Sequence, residues 1–254
     1  MPEFPLLTAL PLTATIIAGA FAIVIFNHYS GTRHRPHELI WGTAFVLFAL
    51  AAACQVWADV NGAWLPFTAR LYYLTGAILN VGFLGLGTLY LLFPRRVAHA
   101  GLAVMLILTV ISVAVVFTVP VDAAVLREEA GWKAVTAFST APRWLAAISN
   151  TVGTVLVAGG ALWSAYVFWR RRIMKHRMIG VLLLALGTLV VALGGTITGI
   201  TGLRNHDYLY ITMAIGVAIM FVGYLQTIRP EPVRQAQIAE SASRPGGSPT
   251  PTTR

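Results

Sequence analysis

Seven apolar stretches follow one another along the chain, at 9–27, 37–58, 67–93, 99–119, 144–169, 177–203 and 208–228. Each is close to or above the ~20 residues that an α-helix needs to cross a bilayer at ~1.5 Å per residue. Proline marks the boundaries, at Pro36, Pro66, Pro94, Pro120, Pro142 and Pro230. It suits a first helical turn or a stop and is costly in mid-helix. The pattern predicts an all-α integral membrane bundle of seven transmembrane helices occupying residues 1–229. The Pro-, Ser-, Thr- and Gly-rich remainder, 230–254, reads as a disordered cytoplasmic tail. One long loop, 120–142, contains AAVLREEAGWKAVTAF, which suits a short helix lying on the membrane surface.

The polar gaps set an orientation. Arg33 and Arg35 follow span one, Arg95 and Arg96 follow span three, and Arg170, Arg171, Arg172, Lys175 and Arg177 follow span five. With the tail, that side carries 13 basic residues against 3 acidic ones, and the other side 5 against 6. The positive-inside rule then places the N-terminus outside and the C-terminus in the cytoplasm, in agreement with an odd number of crossings. The first arginine comes after the first span, the reverse of a cleaved signal peptide, so that span is expected to be retained.

Composition supports the class. Charged residues make up 11% of the chain and hydrophobic ones 57%, against the roughly 25% charged of a water-soluble domain. The net charge of +9 flanks apolar spans instead of forming a face, so nucleic acid is not an expected partner. The expected partners are the lipid bilayer and either a second copy or another membrane subunit. Sixteen arginines against two lysines suggest a bacterial source, hence a bacterial cytoplasmic (inner) membrane. The single cysteine, Cys54, excludes an intramolecular disulfide.

YLTGAI at 73–78 echoes YITMAI at 210–215. Spans 1–3 and 5–7 therefore suggest two parallel repeats joined by span four, a 3+1+3 layout of the kind transporter duplications produce. Glycines crowd spans three, five and six, and Gly195 with Gly199 form a GxxxG pair expected to pack helices closely.

Polar side chains gather toward the outer ends of the spans. Arg70 lies about 6 Å into span three by helical rise, where a charge must snorkel or find a partner. Arg70, Asp59, Asn150, Arg204, Tyr210 and Tyr73 are expected to converge in one outward-facing ligand site. Arginine there would favour an anionic group. Asn80 and Asn150 suit interhelical hydrogen bonds.

Catalytic chemistry is not expected. There is no HExxH, no GxSxG and no pair of carboxylates. His37 and Glu38 could bind a metal, but no metal site is predicted from so little. His28, His34, His37, His99 and His176 lie at the inner ends and His206 lies outside, so a buried bis-histidine haem is not expected. The seven-span layout is similar to that of microbial rhodopsins in topology only. Span seven, YLYITMAIGVAIMFVGYLQTI, has no lysine for a Schiff base, so retinal is not expected. The layout is also similar to that of small-repeat sugar transporters, whose Pro-Gln pair these spans lack. The expectation is a non-enzymatic bacterial membrane protein that binds or senses a ligand at its outer face or serves as a subunit of a membrane complex. The alternative is a small 3+1+3 transporter of a neutral or weakly anionic solute.

Overall fold

The structure, a computed structural model, describes residues 9–31, 34–128, 137–171, 175–201 and 207–228. At 128, 165, 168, 169, 171, 175–178, 195–201 and 207–209 only the backbone is described. The tail 230–254 and Arg204 lie outside the described residues, as do the surroundings of Gly195 and Gly199, which fall within a helix.

Helices fill the described chain in the order α1 (Ala9–Gly31), α2 (Pro36–Asn61), α3 (Pro66–Tyr72), a π-helical segment (Tyr73–Leu79), α4 (Asn80–Leu92), α5 (Arg95–Thr118), α6 (Ala123–Glu128), α7 (Thr140–Arg171), α8 (Lys175–Thr201) and α9 (Asp207–Ile228). Proline occupies the first turn of α2 and α3, where its missing N–H costs nothing. Gly62 ends α2 in the left-handed region, φ 68°, which glycine adopts without steric penalty.

Six helical stretches are long and apolar enough to cross a membrane: Ala9–Gly31, Pro36–Asn61, Pro66–Leu92, Arg95–Thr118, Thr140–Ser164 and Tyr210–Ile228. Within α8 the described apolar stretch is the shorter Ile179–Gly194. Large apolar side chains such as Ile16, Val110, Val155 and Leu162 are exposed on the outside of the bundle. Water would penalise such a surface, whereas lipid matches it. The chain is thus built as a multi-pass membrane protein.

Six helical segments pack in a ring. α1 packs on α2, α2 on α3, the π segment and α4, α4 on α7, α7 on α8, α8 on α9, and α9 back on α1. α5 is the odd one. It packs mainly on α4, the π segment and α7, and it is the most apolar and the least buried of the six long spans. Side chains from the halves of α1, α2, α4 and α7–α9 nearer the basic loops line one space inside the ring.

Glycine sets the closest contacts. A Cβ on Gly85 would sit 2.8 Å from Cα of Gly153, and one on Gly153 would strike the Val81 carbonyl. α4 and α7 therefore meet backbone to backbone, as expected for spans three and five. Along α8 and α9 the glycines recur every seventh residue. A Cβ on Gly180 would stand 2.6 Å from the Gly223 oxygen, and one on Gly187 2.5 Å from the Gly216 oxygen. Gly194 faces the Thr212 side chain in the same row. Such approach gains dispersion contact where lipid offers no hydrophobic drive between helices.

The loop after α5 folds onto the bundle. Val121 bridges Phe138 in antiparallel fashion, and the Asp122 amide donates to the Ala137 carbonyl at 3.1 Å. Asp122 then accepts from the Ala124 amide at 2.9 Å and starts α6. The Trp64 amide donates to the Leu126 carbonyl at 2.9 Å, and Leu126, Trp64 and Phe138 are all buried. The short helix is where the sequence suggests it, but it is pinned under Trp64. Residues 129–136 of the same stretch are outside the described set.

Candidate functional site

The described residues expected at the outer face are engaged in four separate places. Asp59 and Tyr210 do meet. Gln55, one helical turn before Asp59, donates from Nε2 to Asp59 Oδ1 at 2.9 Å and to the Tyr210 hydroxyl at 2.8 Å. The Tyr210 hydroxyl donates to Asp59 Oδ1 at 3.1 Å. Gln55 is fully buried and Tyr210 nearly so. These bonds tie α2 to α9 across the ring at the end away from the arginine clusters.

Arg70 points elsewhere. Its guanidinium donates to the Val116 carbonyl and, at 2.9 Å, to the Val119 carbonyl. Those carbonyls belong to the last turn of α5, where no intrahelical donor remains. Asn150 Nδ2 donates to the Ala77 carbonyl at 2.9 Å, inside the π-helical segment. A π turn widens the helix and disrupts the regular i→i−4 ladder, and an amide from α7 supplies a partner there. Tyr73 begins that segment and stacks on Phe138, with ring centroids 4.5 Å apart. Arg204 is not described. Asp59 and Tyr210 thus form one cluster, while Arg70, Asn150 and Tyr73 each secure a different contact.

At the opposite end, inside the ring, a partly open cavity is bounded by all six ring helices. Its aromatic wall is Phe21, Trp41, Phe45 and Tyr224. Phe21 packs on Phe45 at 3.8 Å and on Tyr224 at 5.3 Å between ring centroids. Gly87 makes room for the Trp41 indole, whose Nε1 donates to the Leu84 carbonyl at 3.1 Å. Thr88 and Thr188 also line the space, but their hydroxyls donate back to Leu84 and Leu184 of their own helices. Tyr224 differs. Its ring is buried and its hydroxyl has no hydrogen-bond partner among the described residues.

Just past this cavity sits a carboxylate. Glu38 is 2% exposed. It precedes Trp41 and Phe45 by three and seven residues, so the three share one face of α2. Its Oε1 is 3.0 Å from Nδ1 of His28 on α1 and 4.0 Å from Nε2 of His37. His28 in turn stands seven residues after Phe21, and its ring meets Tyr224 edge-on at 6.4 Å. Glu38 Oε2 is buried and has no hydrogen-bond partner among the described residues. His37 and Glu38 do lie together, but among the described residues no three His, Cys, Asp or Glu side chains are grouped to hold a metal ion.

The cavity was not anticipated because its residues look like ordinary core. The signal was spacing: Phe21, Ile25 and His28 on one face, and Glu38, Trp41 and Phe45 on another, each place a titratable group at the end of an apolar stripe.

No protein-family model, curated protein or solved structure matches the chain.

Proposed function

We propose that the protein admits a small solute into the interior of its helix ring and passes it across a bacterial inner membrane, in a 3+1+3 arrangement of seven crossings with the C-terminus in the cytoplasm. One observation carries this reading. The six-helix ring holds a cavity at its arginine-rich end, and the Gln55–Asp59–Tyr210 bonds draw α2 and α9 together at the other. A carrier closed on one side and hollow on the other has that form.

The order of contacts adds support. α1, α2 and the α3–π–α4 span pack in sequence, and so do α7, α8 and α9. The two triplets then meet through α4 with α7 and through α9 with α1. A two-fold axis along the membrane normal would exchange these two junctions, as the YLTGAI and YITMAI echo suggests. α8, 27 residues long, is counted as the seventh crossing. The reading as a sensor or complex subunit with a ligand at the outer face rests on the Asp59–Tyr210 cluster alone, since Arg70 and Asn150 already have backbone partners.

The test uses the chain's single cysteine. In a Cys54→Ser background, Thr188→Cys places a thiol on the cavity wall. A membrane-impermeant maleimide should label it from the arginine-rich side. Adding Asp59→Asn and Tyr210→Phe, which weaken the outer bonds, should raise labelling from the opposite side several-fold. Labelling from that side that stays at background in every variant would mean that no route runs through the ring.

A further inference from the structure

Resting on the reading of the ring interior as a solute site, we infer that the solute is an amphipathic amine, with its apolar body in the cavity and its ammonium group between Glu38 and Tyr224. Among the described residues three side-chain oxygens toward this end are buried without a partner: Glu38 Oε2, the Tyr224 hydroxyl and Gln226 Oε1. Tyr224 lines the cavity. His28 contacts both Glu38 and Tyr224, Glu38 through Nδ1 at 3.0 Å and Tyr224 edge-on at 6.4 Å between ring centroids. Leaving such groups unmatched costs about 1–3 kcal/mol each, and more for a charged one. Glu38 Oε2 and the Tyr224 hydroxyl can both accept a hydrogen bond, and an ammonium, with three N–H groups, can donate to both at once. A solute hydroxyl can bridge them only by donating to Glu38 and accepting from Tyr224, and it brings no charge to the carboxylate.

Charge points the same way. A buried carboxylate favours a cation beside it. His28 Nδ1 and His37 Nε2 stand 3.0 and 4.0 Å from Oε1. Arg35, a described cation at this end, is solvent-exposed, where screening weakens it. The aromatic wall of Phe21, Trp41, Phe45 and Tyr224 favours both an apolar body and a positive head. An anionic or strongly polar solute finds no comparable match, because the cavity's threonine hydroxyls already donate to their own helices.

The test is direct binding to the purified full chain in detergent, read by tryptophan fluorescence and by thermal shift. Three probes of one shape are compared: 4-phenylbutylamine, 4-phenylbutan-1-ol and 4-phenylbutyrate. The amine should bind at least tenfold more tightly than the alcohol, and the carboxylate should bind least. Glu38→Gln keeps an acceptor for His28 while removing the charge. It should weaken amine binding about tenfold or more, as expected for a charge-assisted bond, and leave the alcohol unchanged. Tyr224→Phe should weaken the amine several-fold without lowering the melting temperature, since the hydroxyl it removes has no partner. Equal binding of all three probes, or amine binding indifferent to Glu38→Gln, would overturn the assignment and leave the cavity an apolar slot of the kind a lipid chain fills. Binding of none of the probes would instead count against the solute-site reading itself.

Discussion

Gly187→Leu is expected to lower the melting temperature of the detergent-solubilised protein by about 10 °C, or to prevent its accumulation. A Cβ at Gly187 would stand 2.5 Å from the Gly216 carbonyl oxygen and also strike Met220. The obstacle is α9 backbone, which cannot rotate aside as a side chain would. Overpacking of this kind costs about 1–3 kcal/mol, and for a chain of this size each kcal/mol moves the midpoint by about 2–4 °C. The Gly180–Gly223 contact belongs to the same row, so separating the helices at one point loosens the other. Gly159→Leu is the control. Nothing lies within 4 Å of a Cβ built there, so the side chain enters lipid and the melting point should hold. Equal melting of the two variants would show that the α8–α9 approach is not what holds these helices.

Arg70→Ala is expected to have the second-largest effect, on stability and not on solute binding. The guanidinium bonds two carbonyls at the end of α5, at Val116 and Val119. Hydrogen bonds to charged groups are worth about 1.5–3 kcal/mol each, and a carbonyl buried near lipid has no water to replace the donor. A loss of about 2 kcal/mol or more should appear as a lower melting temperature and as faster proteolysis between Thr118 and Asp122. Arg70→Lys should recover part of it, since a lysine keeps the charge but not the two-pronged geometry. If Arg70→Ala melts like the parent while solute binding is lost, the residue belongs to a site and not to the α5 anchor.

These two residues show how far the sequence could be read. The helices were legible because length, apolarity and boundary prolines are local properties. The expected spans differ from the observed long helices by only a few residues at most ends. Close packing of spans three and five was legible too, from Gly85 and Gly153. The interface between the last two helices was harder. GxxxG at Gly195 and Gly199 drew attention, while the described contacts run through the heptad row Gly180, Gly187 and Gly194 against Gly216 and Gly223. A spacing of seven fits antiparallel helices that stay in contact over many turns, so both helices had to be read together.

Arg70 was legible as a charge needing a partner, but not which partner. The sequence offers Asp59 and Asp207, whereas a chain of helices also offers carbonyls at every C-terminal end. No pattern in side chains announces those. The π-helical turn at Tyr73–Leu79 was invisible for a similar reason. Its residues are ordinary helix formers, and the turn is accommodated by Asn150 from another span. The cavity needs six helices at one depth, a purely tertiary fact.

α5 contributes little to the ring and yet determines what the ring can be. Under the proposed 3+1+3 reading, a unit of three crossings ends on the side opposite its start, and two such units joined directly would insert in opposite orientations, related by an axis in the membrane plane. The extra crossing supplied by α5 would reset the starting side, so that both halves enter the bilayer facing the same way. Most of the α5 surface is left to lipid. Its composition can therefore vary within apolar limits, except at Ala98, Met105, Ser112 and Val116, the buried positions that face the bundle; the carbonyls that hold Arg70 are backbone groups, which any residue there would offer.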